Sequence, residues 1–216
     1  MILDDFIDII RPDVIIWQFY FNDFINNYFD IDIREYPLND HYYRPYLENG
    51  GIVYRWPSTT GKIRGHSMIL DMFLNIYDRY QWEKKKSLLM RDFYNDLYGY
   101  QYWKRDFAGS KFWNGKFNET YNVTSEIMSM ARKRAKTSGF YMISTDIKLQ
   151  SYEEKIAMEN DITYIPGIPN LVFEKEEKGA QLRATKDVHW NLAGNKAVGE
   201  FLVDYFNKTK TFEKRK

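Results

Sequence analysis

Apolar positions in this chain fall into two kinds of run, and the kinds alternate. "DDFIDIIRPDVIIWQFYFND" opens with a short helical pattern that breaks at Arg11-Pro12-Asp13. From Val14 to Phe21 it is apolar almost throughout, and it stops sharply at Asn22-Asp23. A continuous run of that length, without strict alternation, predicts a strand buried on both faces of a parallel sheet. "FYMIST" (140–145) predicts a second buried strand and "ITYIP" (162–166) a third, shorter one.

Helical spacing fills most of the rest. Residues 62–80 carry Ile63, Leu70, Phe73, Leu74 and Tyr77 in step, and 81–103 continues as helix with a solvated "EKKK" face. The stretch 114–139 ends as a helix, with Ile127, Met130, Ala131 and Arg134 in step and Gly139 as its stop. Further helices are predicted over 148–160 and from Asn191 to Asn207, the latter with Ala193, Ala197, Phe201 and Tyr205 on one face. "RPYLENGGIVYRWP" (44–57) reads as a hairpin around Asn49-Gly50-Gly51, outside the main sheet. "FEKEEKGAQLRATKD" (173–187) reads as a charged loop. The order is strand, long insertion, helix, strand, helix, strand, helix, which predicts an α/β fold with parallel strands.

Composition narrows the field. The 216 residues suit one domain, and no repeat or low-complexity linker divides them. A balance of 31 basic against 30 acidic residues gives no electrostatic reason to expect nucleic acid or an anionic membrane as partner. With no cysteine there is neither a disulfide framework nor a cysteine-rich zinc site. No apolar run approaches the roughly 20 residues of a membrane span, and "MILDDFIDII" has no basic leader region, so the chain as written is expected to be cytoplasmic. Asn-x-Thr at Asn118, Asn122 and Asn207 is expected by chance in so Asn-rich a sequence. Aromatic residues make up 18% of the chain, most of them expected in the core.

"KDVHWNLAGNKA" (186–197) holds one of only three histidines. Neither His41 nor His66 has a metal-ligand spacing with His189, so no metal is expected there. Two readings remain open. In one, Asn191 caps a helix, and His189 and Trp190 pack where the loop meets it. In the other, Asp187 holds the His189 imidazole in one tautomer and His189 acts as a general base at the carboxyl edge of the sheet. Asn22 ends the first buried strand, where ligands of α/β folds bind, and its amide can donate to a developing oxyanion.

Together the two segments resemble the SGNH/GDSL hydrolase family. "RPDVIIWQFYFND" looks like the family's third block, whose Asn serves the oxyanion hole, and this implies that role for Asn22. "DVHWNLAGNKAVGEFL" looks like the fifth block, which implies Asp187 as orienting acid and His189 as general base. The resemblance covers about 1–30 and 139–206, with 31–138 as a family-variable helical and hairpin insertion in a single 1–216 domain. It implies a three-layer α/β/α, flavodoxin-like parallel sheet and a serine ester hydrolase acting on acyl or acetyl esters of small molecules or carbohydrates, with no cofactor.

Two departures stand out. Tyr20 occupies the position where the family has a glycine, and no Gly-Asp-Ser strand precedes residue 11. Ser67 in "RGHSMIL" lies in a predicted helix and is read as an ordinary helix residue, so the nucleophile is unknown. The chain is therefore expected to lack the family's first two strands and its nucleophile block. That would leave the Val14 strand at a sheet edge, open to association. The alternative is a non-catalytic carbohydrate-binding or interaction module that uses Tyr42, Tyr43, Tyr46, Tyr100, Tyr102, Trp103 and Trp113.

Overall fold

The computed structural model describes residues 2–29, 43–56, 59–85, 117–145, 147, 150–184 and 189–212. Helix α1 (Ile2–Ile10) runs up to Arg11, whose positive φ of 48° ends it and whose backbone N–H caps Ile7. Pro12 then keeps the chain extended into β1 (Val14–Phe19). β1 is shorter than the apolar run predicts, because Phe21 already belongs to α2 (Phe21–Asn26).

β4 (Gly139–Ser144) pairs in parallel with β1, from Val14 opposite Gly139 to Phe19 opposite Ser144. β5 (Thr163–Tyr164) pairs in parallel on the other side of β4, giving a three-stranded parallel sheet in the order β1-β4-β5. Central β4 is the best buried strand. β1 has Ile16 40% exposed and only Phe19 fully covered. The expectation of burial on both faces fails for β1, which among the described residues lies at one end of the sheet with β4 as its strand partner.

The helices follow the alternation of β4. Tyr141 and Ile143 pack in a cluster with Ile168 and Val172 of α7 (Ile168–Glu177) and Val198 and Phe206 of α8 (Leu192–Thr209). Phe140 and Met142, which alternate with them, are buried too. Met128 and Ala131 of α5 (Phe117–Ala135) and Ile156 and Ala157 of α6 (Gln150–Glu159) supply further buried apolar side chains beside β4. The result is a mixed α/β fold with a parallel sheet.

Several predicted elements shift. α5 ends at Ala135, where Lys136 takes φ 47°, so Gly139 starts β4 instead of stopping the helix. Its buried face runs Thr120, Thr124, Met128, Ala131, Ala135, and two threonines therefore replace part of the apolar stripe. α8 buries Gly194, Ala197, Val198 and Phe206, while Ala193 is exposed. The predicted charged loop at 173–187 begins inside α7. Gly167 turns the chain with φ 91°, Pro169 is tolerated in the first helical turn, and the charged residues that follow are good helix formers.

The hairpin is as expected and stands apart from the parallel sheet. β2 (Arg44–Glu48) and β3 (Gly51–Arg55) pair antiparallel, with Asn49 and Gly50 at φ 50° and 75° forming the two-residue primed turn. Two helices follow it, α3 (Thr59–Arg64) and α4 (Met68–Lys85). The helix predicted over 81–103 passes out of the described residues after Lys85.

Candidate functional site

The carboxyl end of β1 leads directly into α2. Tyr20 caps the helix: its carbonyl accepts from the Asp23 N–H, and its own N–H donates to Asp23 Oδ2 at 2.8 Å. This is the backward half of a capping box, with Asp23 at the third helical position. Burial pushes the Asp23 carboxyl up to about 6, against the pull of the Tyr20 N–H. Asn22 lies in the same first turn, one residue before Asp23. Its backbone is therefore at the sheet's carboxyl edge, and its side chain lies outside the description.

His189 arrives from the far end of the chain. The segment that carries it is stitched at its base, where Arg183 and Trp190 form an antiparallel bridge. Ala184 N–H donates to the His189 carbonyl at 3.0 Å, and Asn191 N–H to the Leu182 carbonyl at 2.9 Å. Asn191 does more than cap α8. Its Oδ1 accepts from Gly194 N–H at 3.0 Å, and its Nδ2 donates to the Gln181 and Arg183 carbonyls at 2.8 and 3.1 Å. Gly194 is required by space: a Cβ there would stand 2.3 Å from the Leu182 carbonyl oxygen. Arg183 is tied back to α7 through Glu176 at 3.1 Å, and Trp190 packs against the α7/α8 core. The "HWNLAG" string thus fixes the backbone from the His189 carbonyl into α8.

The exposed His189 ring meets the ring of Tyr20, centroids 6.0 Å apart and planes tilted by 34°. Two segments separated by most of the sequence come together at the carboxyl end of β1. The sequence reading assigned Tyr20 no role, yet it is the residue through which they touch. The available signal was its place at the end of an apolar run, directly before the Asn22-Asp23 stop.

Asp187 lies outside the described residues, as does His41. His66 is exposed in the turn between α3 and α4, its ring 6.3 Å from that of Trp56. Ser67 is not inside a helix. It precedes α4 and its Oγ accepts from Leu70 N–H at 3.3 Å, a capping role. Among the described residues no group of three or more His, Asp or Glu is arranged to hold a metal ion. No described helix is long and apolar enough to cross a membrane.

Of the aromatic residues suggested for sugar stacking, Tyr46 is 2% exposed and packs edge-on against Phe29, which removes it as a platform. Tyr43 is exposed, beside Tyr54 and Trp56 at 5.7 and 5.5 Å. Tyr42, Tyr100, Tyr102, Trp103 and Trp113 lie outside the described residues. A separate groove of about 320 Å³ between α7 and α8 is lined by residues that include Lys175, Lys178, Leu182 and Lys196, but not His189. No family model matches the chain, no curated protein matches it, and no solved structure is similar to it.

Proposed function

We propose that this chain carries the base and oxyanion segments of an SGNH/GDSL-type ester hydrolase. The contact between His189 and Tyr20 carries the reading, because it joins the two segments that resemble family blocks at the sheet edge where α/β enzymes bind ligands. The strand order β1-β4-β5 supports it, since it matches the last three strands of the family's five-stranded order. In this reading His189 takes the proton of a serine hydroxyl as the oxygen attacks the ester carbonyl, and returns it to the departing alcohol. Asp187 orients the imidazole. The Asn22 amide donates to the oxyanion of the tetrahedral intermediate, a contribution worth about 3 kcal/mol in serine hydrolases. The Tyr20 ring backs the imidazole and limits its rotation. The substrate is an acyl or acetyl ester of a small molecule or carbohydrate, and the chemistry needs no cofactor.

The serine is not assigned to any residue of this chain. Labelling with a fluorophosphonate probe tests the reading on the 216-residue chain and on the same chain extended by the codons upstream of Met1. Labelling confined to the extended protein and suppressed by His189→Ala is the expected result. If neither protein labels, the hydrolase reading fails and a non-catalytic module stands in its place, with the exposed Tyr43 and Tyr54 rings beside the half-buried Trp56 as its stacking surface. Labelling of the short chain would place the nucleophile inside it.

A further inference from the structure

Tyr20 is the single residue between two anchored elements, β1 and α2. The strand is tied at its last carbonyl: Phe19 accepts from the Thr145 N–H and from Thr145 Oγ1, both at 3.1 Å. The helix is anchored through Phe24, which is fully buried, edge-on against Phe19 at 5.0 Å and stacked on Tyr121 of α5 at 6.5 Å. Further along, Asn27 Nδ2 donates to Thr124 Oγ1 at 3.3 Å and the Tyr28 hydroxyl to Glu119 at 2.7 Å. A helix of six residues is too short to be stable by itself, so tertiary ties such as these carry it.

Asp23 extends that anchorage to Tyr20. Its Oδ2 accepts from the Tyr20 N–H at 2.8 Å, and its own N–H donates to the Tyr20 carbonyl at 2.9 Å. Both backbone polar groups of Tyr20 are thus bonded to one residue, and the two bonds close the turn that contains the Asn22 backbone. Fixing a residue's backbone fixes the direction of its Cβ and leaves the side chain a few staggered rotamers. The side chain so aimed is the ring that meets His189, centroids 6.0 Å apart.

We propose that Asp23 is a positioning residue of the His189 site: it holds Tyr20, and through the Tyr20 ring it sets where the imidazole lies. A carboxyl in the turn that meets a candidate base invites another assignment, as an acid paired with that base. The geometry instead directs Asp23 Oδ2 at the Tyr20 backbone, so the role belongs to its acceptor oxygen and not to its charge. The consequence for catalysis rests on the reading of His189 as the general base. In that reading the reaction depends on a residue one step removed from the imidazole.

Nuclear magnetic resonance of the 216-residue chain reads the geometry with no need of the serine. In the wild-type chain, cross-relaxation peaks should join the Tyr20 and His189 rings. Asp23→Ala should abolish them, and Asp23→Asn, which keeps an acceptor oxygen, should restore them, with β4 amide protection unchanged in both. In the upstream-extended protein, the fluorophosphonate labelling rate should fall on the order of 100-fold in Asp23→Ala, the scale for a reacting group displaced by about 1 Å. Asp23→Asn should return it most of the way to the wild-type rate. Ring peaks that are absent from the wild-type chain, or that survive Asp23→Ala, overturn the proposal. An Asp23→Asn chain that loses them as fully as Asp23→Ala also overturns it, because the charge would then be what matters. So do lost peaks with an unchanged labelling rate. If the extended wild-type protein does not label, the hydrolase reading fails separately, and the ring peaks alone decide whether Asp23 positions His189. Should Asp23→Ala fail to fold, Asp23→Leu takes its place, filling the same part-buried position without an acceptor.

Discussion

The sheet unit and the segment 43–85 solve the same packing problem in opposite ways. In the sheet unit, apolar side chains go inward: Met142, Ile156, Ile165, Ile168 and Val172 are fully enclosed around β4. In the second region α4 turns an ion pair and an amide inward and its apolar side outward. Burial of apolar area contributes about 25 cal/mol per Å² wherever it occurs, so the sheet unit holds itself together by its own sequence. The α3–α4 pair instead relies on Arg64, whose isolation would leave a charge without water. The difference separates a region held by enclosed apolar side chains from one whose described helix–helix contact is polar.

The largest expected effect breaks the second region alone. Arg64→Ala removes the buried member of a pair whose other member, Asp71, is about a third exposed. A loss of about 3 kcal/mol is expected, the upper end for removing one partner of charged hydrogen bonds. Hydrogen exchange should show α3 and α4 deprotected while β4 amides keep their wild-type protection. Uniform loss of protection across both regions would mean that they form one cooperative unit and would blunt the contrast drawn here.

A second, smaller effect belongs to the sheet unit and has a sign fixed by Asp23. Its carboxyl lies near 6 in the folded chain, against an ordinary value of 3.8, because burial disfavours the charge. The folded state therefore binds the proton more tightly than the unfolded one. The stabilisation this provides is complete below the ordinary value and is lost as pH rises through about 6. Asp23→Asn keeps an oxygen for the Tyr20 N–H and removes the titration. It should stabilise the chain by on the order of 2 kcal/mol at pH 7 and by nearly nothing at pH 4, read from urea midpoints at the two pH values.

The smallest effect sharpens the picture of the histidine segment. Asn191→Ala removes the α8 cap, worth about 1 kcal/mol, together with two donations to the 181–183 backbone. Global stability should fall by roughly that amount, while the His189 imidazole resonances broaden as its backbone loses its ties. Sharp, unshifted resonances would show that the Arg183–Trp190 bridge suffices by itself.

Much of the fold was legible before any coordinates. Uninterrupted apolar runs located β1 and β4, the Asn-Gly-Gly turn located the hairpin, and Asn191 announced the start of α8, because each signal is local and has few alternatives. The α7 helix was missed because the charged residues from Phe173 onward read as a loop, although Glu and Lys are good helix formers. The face that α4 turns outward was not legible for a different reason. Periodicity shows that Phe73 and Tyr77 lie on a stripe, but says nothing about which way the stripe points.

The same division runs through the candidate site. Sequence alone determined its ingredients: an Asn-Asp pair just after an apolar run, and a His-Trp-Asn string entering a helix with a glycine three residues on. Side-chain chemistry and local hydrogen bonding were enough for that. Only the tertiary structure decided that Tyr20 meets His189, that Gly194 is small because the Leu182 carbonyl lies against it, and that Asp71 and Asn75 of α4 meet Arg64. Those facts depend on which surfaces compete for burial, and that competition is settled between segments distant in sequence, where no local pattern can record it.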